Sequence, residues 1–463
     1  MIQNLTVGNP LKLIVKFALP LLLGNLVMQI FQLSDMIIVG RLIGVEALAA
    51  VGSTAPLYLV VLMVTFGFTG GLTIITAQRF GAKDEDGIRQ SSYHCHLAAL
   101  VLSVTVAIIL GVFLTPFMRI MNVPEQIFAD AYKFMLVLTF SMPLIVFYNL
   151  LSSLIRALGD SKTPLYFLIF SSVINILLNF MFIAGLHLGV VGSALGTLVS
   201  NFIVVILCYC YIWHKFPVLW YNQKAWHYDS DVMKMHLKMA FPMALQFSIL
   251  SFSIAIVQGV CNSYGADVIA AFATATRIEQ FATQPLIAVG LAMATFSAQN
   301  WGANLLRRIR TGVRYGMLII VILSAVGFVL VRYYGQYAIS VFLDGENEKI
   351  VSIGKQYLLI STPFYLFLGT IFVFRNTVQG IGKPIIPLIS SVLELCSRAF
   401  AAIILSEQFG YVGIFYAGPV AWFAAGTFVA CGYFYYLRKW VKTPLRWKLG
   451  EVSQKLRENG PMD

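Results

Sequence analysis

The chain has 463 residues, of which 59% are hydrophobic and 11% charged, with a formal net charge of +12. A soluble domain carries roughly 25% charged residues, so there is too little polar surface here to cover a water-soluble globule. Nucleic-acid binding is set aside as well, because the Lys and Arg residues fall in short connections between apolar runs, where they fix topology and meet anionic lipid.

The apolar runs reach about 20 residues, enough to cross a hydrocarbon core. They lack the strict alternation of a barrel strand, and backbone groups in lipid must pair within their own segment, so helices are expected. In chain order the spans fall near 12–39, 47–76, 93–117, 132–156, 164–186 and 190–213, then 239–262, 267–299, 312–334, 354–379, 385–406 and 411–436. The fold class is therefore an all-α integral membrane protein with twelve transmembrane helices. The opening MIQNLTVGNPLKLIVKFALP has no small-residue cleavage site, so the first span is expected to stay as an anchor.

The longest polar interruption runs from Lys215 to Lys238. It divides the chain into an N-terminal lobe (1–214), a linker (215–238), a C-terminal lobe (239–437) and a basic tail (438–463). The tail places Trp440 and Trp447 between charges and suits a membrane surface. An even span count puts both termini on one side. Most basic residues fall on that side, which places both termini in the cytoplasm of a multi-pass protein of the cell membrane. The six cysteines (Cys95, Cys208, Cys210, Cys261, Cys396, Cys431) lie in or beside spans, and their spacing predicts neither a metal nor a disulfide framework.

The two lobes are alike. Thr76–Ala82 reads TAQRFGA and Ser297–Ala303 reads SAQNWGA, at an offset of 221. The same offset pairs Gly44 with Gly265 and Ala49-Ala50 with Ala270-Ala271; with one gap Pro20 pairs with Pro242. Farther on, RALGDSKTP resembles QGIGKPIIP, and Ser171-Ser172-Val173 matches Ser390-Ser391-Val392. Two six-span halves share one membrane orientation. They form pseudo-symmetric lobes around a central cavity that opens to either side by rocking.

Charge inside a span costs about 2.5–3.5 kcal/mol on insertion scales, so it needs a reason. Asp35, in FQLSDMIIVGRLIG, is the leading candidate for binding H+ or Na+. Asn175 and Asn179 share a face of the fifth span, and Thr197 follows on the sixth. Their oxygens suit a hard cation beside one carboxylate; the alternative is ordinary interhelical hydrogen bonding. The repeat maps these asparagines onto Glu394 and Arg398, one turn apart and opposite in sign, as a structural ion pair or a proton-linked switch. Arg277 and Glu279 are two apart and do not face each other. Gln29, Gln32, Gln246, Gln258 and Gln284 are candidates to line the cavity. The histidines of SYHCHLA do not share a helical face, which argues against zinc. No phosphate-binding Gly-rich loop with its Lys occurs, and no enzyme motif survives inspection. No cofactor is expected beyond a coupling ion.

These segments resemble the multidrug and toxic compound extrusion family over nearly the full length. The resemblance rests on LPLLLGNLVMQIFQLSDMIIVGRLIGVEALAAVG, on RALGDSKTPLY, on GVVGSALGTLVSN and on the repeated QxxGA. It implies a twelve-helix, two-lobe antiporter that exports small organic, often cationic and lipophilic, compounds in exchange for H+ or Na+. It also implies that Asp35 is the first-span carboxylate of the cation site, Asn175 and Thr197 its polar partners, and Pro20 a helix-bending proline. Asn179 falls where many relatives carry a second Asp. Gln246 stands where one branch carries a buried Glu in the seventh span, so a C-terminal cation site of that kind is not expected. The competing expectation is a flippase for a lipid-linked saccharide of the same architecture. Because one chain supplies both halves of its cavity, a monomer is expected.

Overall fold

The computed structural model describes residues 3–220, 227–342 and 348–442. Among the described residues, twelve helices are long and apolar enough to cross a membrane. They are α1 (Pro10–Leu42), α2 (Val45–Gly81), α3 (Glu85–Ile120), α4 (Glu125–Ala157), α5 (Lys162–Gly185) and α6 (Gly189–Lys215), then α7 (Ser230–Tyr264), α8 (Ala266–Gly302), α9 (Leu306–Val341), α10 (Glu348–Gly380), α11 (Ile385–Phe409) and α12 (Tyr411–Arg438). Among the described residues all regular structure is helical, and most helices outrun their apolar windows at both ends.

Capping residues explain part of that extra length. Asn9 accepts from the Leu11 and Lys12 amides ahead of α1, with Pro10 as the first helical residue, and Asp84 accepts from Gly87 at the start of α3. Asp229 accepts from the Asp231 and Val232 amides and starts α7 at Ser230. Ser230–Lys238, which the polar composition assigned to the connection, is thus the first two turns of a helix. Val232, His236, Met239 and Met243 make its buried stripe at three- and four-residue steps. The tail beyond residue 442 lies outside the described residues.

The halves share a local irregularity. α5 relaxes into a π turn over Phe180–Gly185, and α11 does the same over Ala401–Leu405. Such single π turns occur often at functional sites.

Core packing differs between the two ends of the bundle. At the end that holds Leu5 and Leu437, the halves share their cores. One core joins Leu72, Leu150 and Val204 to Met239, Ala240 and Ala298. Another joins Ile14, Phe17 and Leu21 of α1 to Met293, Ile371 and Val429. At the opposite end each half keeps its own core, around Val39, Leu114 and Met135 in one and around Cys261, Ala271 and Leu358 in the other. The halves are therefore joined at one end and separate at the other. Between α1, α2 and α8 lies a cavity of about 420 Å³ whose walls include Leu33, Met36, Ile37 and Leu48, with Arg41 and Arg277.

Candidate functional site

Asp35 projects from α1 toward α5 and α6. The Asn179 amide nitrogen donates to Asp35 Oδ1 at 2.7 Å, and the Ser193 hydroxyl donates to the same oxygen at 3.3 Å. Asn179 Nδ2 also donates to Asn175 Oδ1 at 3.0 Å, and Asn175 Nδ2 to Thr197 Oγ1 at 3.2 Å. Asn175, Asn179 and Ser193 are buried, while Asp35 is half-buried. A single carboxylate thus heads a chain of neutral groups spanning three helices. All four residues expected at a cation site, Asp35, Asn175, Asn179 and Thr197, come together.

Local geometry sets this contact. Asn175 and Asn179 lie one turn apart on α5, and Ser193 and Thr197 one turn apart on α6. Gly196 lets α6 approach, since a Cβ there would collide with Asn179 Oδ1. That Oδ1 is buried with no hydrogen-bond partner. A buried acceptor left without a donor is costly. It and the Asn175, Ser193 and Thr197 oxygens are the kind of ligands that Na+ would take beside one carboxylate. Ser193 escaped the sequence reading, although its four-residue spacing from Thr197 was a visible signal. The π turn of α5 begins directly after Asn179.

The remaining candidates divide. α1 runs through Pro20 without interruption, and the proline ring leaves the Lys16 carbonyl without its usual helical donor. Gln29 is half-buried and Gln32 exposed on α1. Gln246 and Gln284 are only 5% and 7% exposed, so neither presents its amide to an open cavity as expected. Gln246 instead accepts from Gln379 of α10 at 2.7 Å, inside its own half. Gln258 sits near the end of α7 and donates to Asn262 at 2.9 Å, a local contact.

Glu394 and Arg398 pair at 2.9 Å, as their spacing predicted. A third member was missed: Arg375 of α10 reaches the other Glu394 oxygen at 2.8 Å. Arg375 lies close to the end of its span, where a sequence reading takes an Arg to be reaching for the interface. Here it is buried. Arg277 and Glu279 diverge, as their two-residue spacing requires. Arg277 is exposed toward the cavity, and Glu279 accepts from the Tyr357 hydroxyl at 2.6 Å.

Comparison with known proteins agrees with this architecture. The MatE family model matches residues 20–181 and again 242–404, so it finds each half separately. The probable multidrug resistance protein YoeA of Bacillus subtilis is 28% identical over 433 residues, covering 91% of this chain and 93% of that protein. The multidrug export protein MepA of Staphylococcus haemolyticus is 24% identical, covering 89% of this chain and 90% of that protein. A solved outward-facing multidrug resistance MATE transporter superposes with a TM-score of 0.88 at 22% identity, over 95% of this chain and 98% of that one. With both halves matched by one family model and the fold shared from end to end, the chain belongs to the multidrug and toxic compound extrusion (MatE) family of membrane transporters.

Proposed function

We propose that this transporter exports small lipophilic organic compounds from the cell in exchange for H+ or Na+, and that Asp35 binds the coupling ion. The observation that carries the reading is the carboxylate of Asp35, held by Asn179 and Ser193 and continued by Asn175 and Thr197. Its partners are neutral, so the charge at this point of α1 changes when a cation binds. Pro20, which weakens the backbone ladder of α1 within the stretch that joins the shared core, gives that helix a place to bend on the near side of Asp35. The bundle's unequal ends support alternating access. With both termini in the cytoplasm, the joined end faces the cytoplasm and the cavity opens outward. The relatives' multidrug names support a drug-like cargo. The ion gradient supplies the energy without a cofactor, and one chain suffices as a monomer in the cell membrane.

A second reading has its own support. Arg41 and Arg277 both line the cavity, whose other named walls are apolar. Two arginines bordering it favour neutral or anionic amphiphiles over organic cations, which is the chemistry a flippase for a lipid-linked saccharide needs.

Purified protein in liposomes, given separate H+ and Na+ gradients, tests both. The wild type should move a labelled lipophilic compound under one of the gradients, and Asp35→Asn should lose that drive. Undiminished gradient-driven transport by Asp35→Asn would remove Asp35 from the mechanism. Gradient-independent scrambling of a labelled lipid-linked saccharide would favour the second reading.

A further inference from the structure

The C-terminal half carries a carboxyl group that the proposed coupling mechanism does not use. Glu279 sits on α8, and its counterpart under the repeat is Tyr58 of α2, so nothing in the first half announces it. One of its oxygens accepts from Tyr357 at 2.6 Å. The other is buried and has no hydrogen-bond partner. The Ser361 and Tyr365 hydroxyls and the Arg398 guanidinium also lie within interaction range of the carboxyl. Tyr357 and Ser361 stand one turn apart on α10, and Tyr365 follows directly after the 3-10 turn Thr362–Phe364 that interrupts it, so that three hydroxyls approach the carboxyl from this helix. The Tyr365 hydroxyl is buried and unpartnered as well.

Charge counting gives this cluster its character. Arg375 and Arg398 both pair with Glu394, one on each oxygen. Those three groups carry one surplus positive charge, which an ionised Glu279 balances. A proton on the free Glu279 oxygen turns an unpartnered acceptor into a donor, with the unpartnered Tyr365 hydroxyl oxygen within range to receive it. It also leaves the cluster with one net positive charge. A metal cation fits poorly, because the positive Arg398 guanidinium already stands within range of the carboxyl.

We propose that Glu279 is a second proton-binding group, in the C-terminal half and separate from Asp35, framed by the α10 hydroxyls and countered by Arg398. The groups facing it are Tyr357, Ser361 and Tyr365 from α10 and Arg398 from α11, with Glu394 and Arg375 behind Arg398. Proton uptake comes from water, and Glu279 returns the proton to water when it ionises again. The inference concerns protonation alone and stands whether or not Asp35 couples transport.

Infrared difference spectroscopy of the purified full-length protein in lipid nanodiscs, stepped in pH, tests it without any transported compound. A carboxyl group out of water absorbs apart from solvated ones. In the Asp35→Asn protein a pH-dependent band of that kind should remain. The Glu279 component should vanish in Asp35→Asn/Glu279→Gln, leaving only what the buried Asp160 and Glu394 contribute, and Tyr357→Phe should move that component's midpoint while keeping it. Should Glu279→Gln fail to fold, Glu279→Asp provides the control, shifting the band's frequency. No pH-dependent band in Asp35→Asn, or a band that Glu279→Gln, Glu279→Asp and Tyr357→Phe all leave unchanged, overturns the proposal.

Discussion

Gly81 at the end of α2 packs so closely on Gln299 of α8 that a Cβ on the glycine would collide with the Gln299 carbonyl oxygen. Gly302 meets the Gln78 carbonyl in the same way. The repeated QxxGA segments thus face each other across the two halves. Their side chains cross over too: Gln78 donates to the Gly380 carbonyl at 2.7 Å, and Gln299 donates to the Ala157 carbonyl at 2.9 Å. Each glutamine thus caps the last residue of a helix in the other half, α10 for Gln78 and α4 for Gln299. This reciprocal contact closes the joined end of the bundle, and it must part if that end ever opens.

Weakening the contact should therefore shift the balance between conformations. Overpacking a tight site typically costs about 1–3 kcal/mol, and every 1.4 kcal/mol is about tenfold in a population. Gly81→Ala with Gly302→Ala should move the protein toward the state open at the joined end by roughly tenfold or more. Spin-label distances between the ends of α2 and α8 read this directly. Distances unchanged from wild type would mean that the glycines only fill space.

At Gly196 the same kind of closeness serves the polar site. A methyl group there would push on Asn179 Oδ1, the side chain that holds Asp35 at 2.7 Å. Gly196→Ala should reduce gradient-driven efflux toward the Asp35→Asn level, with a loss of stability of about 1–3 kcal/mol at most. Efflux in proteoliposomes beside a thermal melt separates the two effects. Loss of activity only in step with loss of folded protein would count against a role in positioning.

How much of this was legible beforehand follows physical lines. Span positions and the repeat were readable because hydropathy and short motifs are local properties. In-span polarity and helical spacing picked out Asp35, Asn175, Asn179 and Thr197 one by one, but ordinary interhelical hydrogen bonding explained the last three equally well, and only the family resemblance implied that they meet Asp35. Arg375 was not legible, because an Arg near a helix end looks like an interfacial residue until its partner on α11 is known. Ser230–Lys238 read as a connection because its charges masked the stripe of Val232, His236 and Met239. The crossing of Gln78 and Gln299 was visible only as a repeated motif. Its meaning depends on two helix ends meeting across the halves, which no local pattern encodes.

The buried trio of Arg375, Glu394 and Arg398 makes a stability prediction. Removing one partner of a buried ion pair typically costs about 3–5 kcal/mol, because the other charge is left uncompensated. Glu394→Gln strands two guanidiniums at once and should be the most destabilising of the single changes. Arg375→Met should cost less, since Glu394 keeps Arg398. Thermal unfolding of detergent-solubilised protein gives the order. A Glu394→Gln protein as stable as Arg375→Met would show that the trio is more hydrated than its burial implies.

Asp160 links the RALGDSKTPLY motif to pH. It lies in the connection between α4 and α5 and is 1% exposed. Burial pushes its carboxyl up, but hydrogen bonds more than offset this and hold it below its ordinary value. The donors are the Tyr211 hydroxyl at 2.7 Å, the Thr163 hydroxyl at 2.7 Å and the Thr163 and Lys162 amides at 3.1 and 3.0 Å. A carboxyl lowered by folding adds stability that is fully present above its unfolded value, about 3.9, and is lost as pH falls through the folded value. Asp160→Asn removes that charge-linked share and leaves some of the capping of α5. The variant should melt lower than wild type at neutral pH, by an amount in the range of a lost cap, about 0.5–2 kcal/mol. Its deficit should shrink as the pH is taken below 4. Melting curves at several pH values settle the point: a deficit that stays constant down to strong acid would mean that the motif's Asp acts through shape rather than charge.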